Sequence, residues 1–269
     1  MSEPKTKKQE KKTKRILQCE DVLVKFGEFK ALDRFSFSVK EREVHFLIGP
    51  NGAGKTTFLD VLCGLTKMAD GQAVFNGTHH LKRMKEFEIA RNGIGRKFQT
   101  PSVFPNLSVY QNLEISMNQK KSVFSMLLAR LTSTDREKIE GQLQTIGLKD
   151  QQHIKASFLS HGQKQWLEIG MVMMQEPELL LLDEPIAGMT EEEEETTGKL
   201  LHTLKESCSI IVVEHDMDFV RKYAERVTVM HEGRLLSEGS MEEVQKNKQV
   251  REVYLGKTKE EKNAATSSA

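Results

Sequence analysis

The sequence predicts an α/β fold, a parallel sheet with helices packed on it and one long helical insertion. Three observations lead there. Short apolar runs recur at Val44–Ile48, Leu179–Leu182, Ile210–Val213 and Val227–Met230, as expected for strands buried on both faces. Helical periodicity fills much of the space between them. Residues 106–175, in contrast, look helical with few strand signals.

Each element has its own warrant. Residues 1–15 carry seven cations and two acids, a net of +5, and read as a solvated tail. Contact of that tail with anionic lipid headgroups is the alternative. Phe35–Val39 alternates as a half-buried strand should. Val44–Ile48 is a buried strand closed by Gly49-Pro50. Thr57–Leu65 has helical spacing, and Ile94–Phe98 is a further strand. Beyond the insertion, Leu179–Leu182, Ile210–Val213 and Val227–Met230 are strands, separated by helices at Glu191–Glu206 and Met217–Ala224. Residues 257–269 form a second tail. No internal repeat or run of heptads suggests a solenoid or a coiled-coil arm.

Composition narrows the function. The 269 residues carry 40 Lys and Arg against 39 Asp and Glu, a net of +1, and the segment between the tails is mildly acidic. That balance disfavours nucleic acid as a partner. Mean hydropathy is −0.49, and no apolar run approaches the roughly 18–20 residues that span a bilayer. The first fifteen residues lack the apolar stretch of a signal peptide or an in-plane anchor. Cys19, Cys63 and Cys208 are scattered and odd in number, which fits a reducing compartment better than a disulfide framework or a zinc site.

The chemistry starts at Gly49-Pro-Asn-Gly-Ala-Gly-Lys55-Thr56, which matches G-x-x-x-x-G-K-[ST] between a buried strand and a helix. Such a loop turns successive backbone N–H groups onto phosphates, and the helix N-terminus adds partial positive charge. Lys55 is placed to reach the β- and γ-phosphates and Thr56 to ligate Mg²⁺. The run Leu179–Leu182 ends in Asp183 and Glu184. An acid delivered by a buried strand suits the Mg²⁺ shell, and Glu184 could polarise a water for attack on the γ-phosphate. In Leu159-Ser-His-Gly-Gln163, Ser160 and Gln163 form a capping box, so a helix should start there. Its free N-terminus reads either as a second anion site or as an ordinary helix start.

Other features read as structure. Thr190 and Glu193 form another capping box, and Glu191–Glu195 put favourable acids in a first helical turn. Met171, Met173 and Met174 pack in a helical core. His79 and His80 lack partners at metal spacing and read as an exposed loop.

Together these residues resemble the ATP-binding cassette family over 16–256. The resemblance implies a RecA-like P-loop NTPase core (16–100 and 171–256), an antiparallel β subdomain, and a helical subdomain at about 101–170. It implies ATP and Mg²⁺ as cofactors. ATP contacts fall on Gly49, Asn51, Gly52, Ala53, Gly54, Lys55, Thr56 and Thr57, with Phe26 stacking on adenine; the competing reading of Phe26 is a core residue of an edge strand. Metal contacts fall on Thr56, Gln99 and Asp183. Glu184 and His215 take the catalytic positions. Ser160, His161, Gly162 and Gln163 resemble the signature motif that contacts the other subunit's ATP, with His161 where the family usually has Gly. Thr190 stands where many members have Asp.

One copy of each motif implies a second cassette, identical or not, and a cycle of ATP-driven closure, hydrolysis and opening. The resemblance further implies transmembrane permease partners, an extracytoplasmic solute-binding protein acting indirectly, and a peripheral place on the cytoplasmic face of the membrane. Residues 95–108 and Val253–Gly256 are similar to importers of branched-chain amino acids and urea. The segments 96–103, 159–168 and 183–190 resemble the urea-importing branch in particular. A branched-chain amino acid importer is the alternative, and a non-transport cassette acting on nucleic acid or ribosomes is the other class weighed.

Overall fold

The computed structural model describes residues 14–97, 103–117 and 132–253. Gln99, most of the first tail, all of the second and the Tyr254–Gly256 ending lie outside the described residues. The main sheet has six strands in the order β10-β9-β3-β8-β7-β6. These are β3 (Val44–Ile48), β6 (Ile94–Lys97), β7 (Leu179–Asp183), β8 (Ser209–Val213), β9 (Arg226–His231) and β10 (Arg234–Gly239). All neighbours pair in parallel except β9 and β10. A second, antiparallel sheet runs β2-β1-β4-β5, from β1 (Arg15–Phe26), β2 (Phe29–Lys40), β4 (Asp70–Phe75) and β5 (His79–His80). The expected α/β fold with an antiparallel sheet and an inserted helical part is what the chain adopts.

Strand alternation sorts the apolar side chains into two cores. Val44, Phe46, Ile48, Leu180, Leu182, Ile210 and Val212 face one core. There they meet α3 (Val109–Ser116), α4 (Ser133–Thr145), α5 (His161–Met173), α6 (Glu191–Leu204), α7 (Met217–Tyr223) and α8 (Met241–Lys246). Leu47, Leu179, Leu181, Ile211 and Val213 face the other core, against α1 (Lys55–Leu62) and the antiparallel sheet. The central strands are covered on both sides, which is why they read as mostly apolar runs. A short helix α2 (Glu86–Arg91) precedes β6.

Several details differ from expectation. β1 begins at Arg15, the last residue of the expected tail. His79 and His80 are not a loop: they pair with Phe75 and Val74 as the two-residue strand β5. Helix α5 runs through the expected boundary between 170 and 171 as far as Met173, buried all round its circumference over Trp166–Gly170. Strands β1, β4 and β10 and helices α2 and α8 carried no expectation. Register shifts in β1 between Cys19 and Val22, and again up to Lys25, break the alternation that would have announced it.

Candidate active site

The parallel strands deliver their last residues to one edge of the sheet, where α/β proteins place their ligands. β3 is followed by the loop Gly49–Gly54, β7 ends at Asp183, and β8 leads into Glu214 and His215. The loop is shaped by close approach and unusual backbone. A Cβ on Gly49 would sit 2.2 Å from the Met230 carbonyl oxygen. Gly54 caps α1 with φ 107°, a left-handed conformation that a side chain would strain.

Lys55 opens α1 and is largely buried. Its Nζ donates to the carbonyl oxygens of Gly49 (2.8 Å) and Pro50 (3.2 Å), so the ammonium lies across its own loop. Burial lowers its pKa, opposed by the charges of Glu184, Asp183 and Glu214. A cleft of about 410 Å³ opens over this loop. Phe26, Phe29, Ala31, Asn51–Thr57 and Glu184 line it. The sequence-selected Phe26 and phosphate-loop residues are therefore brought together. β1 lies inside its sheet, not at an edge, and Phe26 is 56% exposed, so the core reading of this ring is excluded. Sequence reasoning missed Phe29, 65% exposed and paired with Phe26 across the Gly27-Glu28 turn. Two aromatics bracketing a two-residue turn were the signal available.

Asp183 is 1% exposed. Its Oδ2 accepts from Arg96 (3.4 Å), and its Oδ1 is buried without a hydrogen-bond partner. Burial pushes its carboxyl above the usual range, while the Arg96 charge and the Thr56 hydroxyl oppose that shift. A buried, half-satisfied carboxylate beside a threonine is a donor set that suits a hard divalent cation. Glu184 follows with φ 49°, its N–H bonded to the Val213 carbonyl. Its Oε1 lies 3.5 Å from Nδ1 of His215, whose side chain is 60% exposed. Glu214 was missed as well. It is 1% exposed and accepts from the N–H groups of Ile186 (3.3 Å) and His215 (3.1 Å). Burial raises its pKa to about 7.

Ser160, His161, Gly162 and Gln163 form a second cluster and do not line the cleft. Ser160 caps α5 by accepting from Gln163 N–H (3.1 Å), and Gln163 Oε1 returns to Ser160 N–H (3.0 Å). The Thr190–Glu193 box is also formed. Glu193 also reaches the α5 terminus: its Oε1 accepts from Ser160 Oγ at 2.8 Å. A Cβ on Gly162 would lie 2.5 Å from the Glu193 carboxyl carbon. His161 bonds the Ala187 carbonyl oxygen through Nε2 (3.0 Å), tying the start of α5 to the loop after Glu184.

Comparison with known proteins places this geometry. The family model "ABC transporter" matches residues 32–187. A second, "Branched-chain amino acid ATP-binding cassette transporter", matches residues 234–260. The "High-affinity branched-chain amino acid transport ATP-binding protein LivG" of Salmonella typhimurium is 34% identical, covering 90% of this chain and 98% of that protein. The "Probable branched-chain amino acid transport ATP-binding protein LivG" of Archaeoglobus fulgidus is 32% identical, covering 90% and 96%. Among solved structures, MJ1267, an ATP-binding cassette of an ABC transporter, superposes with TM-score 0.79 at 32% identity over 90% of this chain and 99% of that one. Its ADP conformation gives TM-score 0.78 over 91% and 100%. The chain belongs to the ABC transporter family and is an ATP-hydrolysing cassette of its branched-chain amino acid, LivG-like subfamily.

Proposed function

We propose that this chain drives a membrane importer for branched-chain amino acids, as one of two cassettes docked on the cytoplasmic face of permease subunits. The relatives named above, similar over nine-tenths of the chain, support the solute class. The three segments 96–103, 159–168 and 183–190 favour urea as a second reading, and the comparisons lend it no support. A solute-binding protein outside the membrane would select the cargo. Among the described residues no helix is long and apolar enough to cross a membrane, and the proposal assigns the path to the permease subunits.

The observation that carries the two-cassette reading is the separation of the two clusters. The Lys55 cleft holds no residue of Ser160–Gln163. Each chain thus offers one phosphate loop and one helix N-terminus, and two chains facing each other complete two sites. Phosphates entering the loop take Lys55 Nζ away from the Gly49 and Pro50 carbonyls. Thr56 and Asp183, with Gln99 outside the described residues, would hold Mg²⁺. Bound there, the ion would supply positive charge that offsets the charge of the phosphates. Glu184, steadied by His215, orients the attacking water. A γ-phosphate reaching α5 of the partner has to move the Glu193 carboxylate aside. ADP has no such group, and that difference in contacts separates the closed from the open state.

The test is solute uptake in a strain lacking this chain, complemented with the parent or with Lys55→Ala. Leucine uptake should vanish in the deletion, return with the parent, and stay absent with Lys55→Ala. Loss of urea uptake with leucine uptake intact would transfer the assignment to urea. Normal uptake of both would contradict the transport reading.

A further inference from the structure

Arg96 sits on β6, three residues before Gln99. It pairs in register with Leu181, so its side chain falls on the sheet face shared by Leu181 and Asp183. The next residue, Lys97, turns to the opposite face and pairs with Glu168 of α5 at 3.6 Å. The Arg96 guanidinium is 6% exposed and forks between two carboxylates. One arm reaches Asp60 Oδ1 on α1 at 2.5 Å, and the other reaches Asp183 Oδ2 at 3.4 Å. α1 is the helix that Lys55 and Thr56 begin. One side chain therefore joins the phosphate-loop helix, the β7 carboxylate and the strand entering the Gln99 segment.

We propose that Arg96 is a positioning residue that presents Asp183 to the nucleotide-bound divalent cation. The proposal rests on the reading of Asp183 as a metal carboxylate. A carboxylate held at one end still rotates about its last bond. A guanidinium on Oδ2 at 3.4 Å restricts that rotation and leaves Oδ1, the buried oxygen without a hydrogen-bond partner, to face the metal. A cation beside a metal ligand should weaken the metal by repulsion. Asp60 answers that objection, because the shorter of the two contacts goes to Asp60 and offsets the guanidinium charge there. The fork can thus orient Asp183 without neutralising it. Lysine would supply the charge but not the planar geometry. Arg96 does not touch the reacting atoms in this arrangement and acts only through Asp183.

The experiment uses the full chain and two readouts besides turnover. ADP affinity is measured by calorimetry without metal, and Mn²⁺ binding to the ADP complex by electron paramagnetic resonance. Arg96→Met should leave metal-free ADP affinity within about twofold, and should weaken Mn²⁺ binding by about tenfold or more, the usual consequence of removing a residue that orients a metal ligand. Arg96→Lys should fall between parent and Met. Asp60→Asn keeps both Arg96 and Asp183 and leaves the guanidinium charge unbalanced, so it should weaken Mn²⁺ by about threefold through repulsion. If Arg96→Met does not fold, Asp60→Asn carries the test alone. Parental Mn²⁺ affinity in every folded variant overturns the proposal. A parent chain whose ADP complex binds no Mn²⁺ overturns the reading of Asp183 and the proposal with it.

Discussion

Glu214 shows how much a single buried acid can say. Its two oxygens accept from Ile186 and His215 N–H groups, so it braces the loop after Glu184 and the residue that steadies Glu184. Its folded pKa is raised to about 7 from 4.5 by burial. Between those values the folded chain holds a proton that the unfolded chain has released, so stability falls as pH rises through that window. Glu214→Gln removes this dependence. Whatever fixed cost follows from losing one acceptor, the variant's stability relative to the parent should improve by about 1–3 kcal/mol between pH 4.5 and pH 8. Urea midpoints at the two pH values measure it, and an unchanged gap would refute the assignment. The cleft aromatics offer a second residue-scale test. Base–aromatic stacking is worth about 1–3 kcal/mol per base, so truncating the ring that stacks on adenine should weaken ATP about tenfold. Phe26→Ala and Phe29→Ala, titrated separately, identify that ring; parental affinity in both would remove stacking from the account. The sequence exposed Lys55, Asp183 and Glu184 because each is part of one contiguous segment. It concealed Arg96 and Glu214, since Arg96 meets carboxylates 36 and 87 residues away and Glu214 matters only through the loop folded onto it.

At the scale of elements, the joint between α5 and α6 carries the account. Glu193 serves its own helix as a capping-box acid and the neighbouring helix as a hydrogen-bond acceptor. Helix N-termini favour negative charge, and these partners lower the Glu193 pKa, the Thr190 backbone first. On the proposed two-cassette reading, a phosphate bound there would compete with that carboxylate. Glu193→Gln keeps the shape and removes the charge. It should cost under about 1 kcal/mol of stability and lower the ATP concentration needed to pair two cassettes, read by sedimentation. A higher ATP requirement would show that the carboxylate braces the closed state instead of competing with it. The two capping boxes were legible in sequence because each lies within four consecutive residues. Their convergence was not, because Ser160 and Glu193 are 33 residues apart. β3, β7 and β8 were legible as apolar runs for a related reason: burial on both faces leaves few polar positions to interrupt them, the buried His45 of β3 being the exception. β1 escaped because its bulges disrupt the period, and β10 because all its residues but Gly239 are exposed or half-exposed.

At the scale of the molecule, the near-zero net charge of the sequence sums a basic N-terminal segment and a mildly acidic remainder. One chain presents two clusters of proposed function that do not meet within it. The phosphate loop and Glu184 face a cleft, while the start of α5 is occupied by a neighbour's carboxylate. The solute stayed illegible because none of the site residues would touch cargo. The most direct measurement of the central claim is the molecular mass of the Glu184→Gln chain in solution by light scattering, with ATP and then with ADP. With Glu184 in the proposed water-orienting role, its loss should leave ATP bound and unhydrolysed, giving a dimer with ATP and a monomer with ADP. A monomer under saturating ATP, with ATP demonstrably bound, would contradict the account.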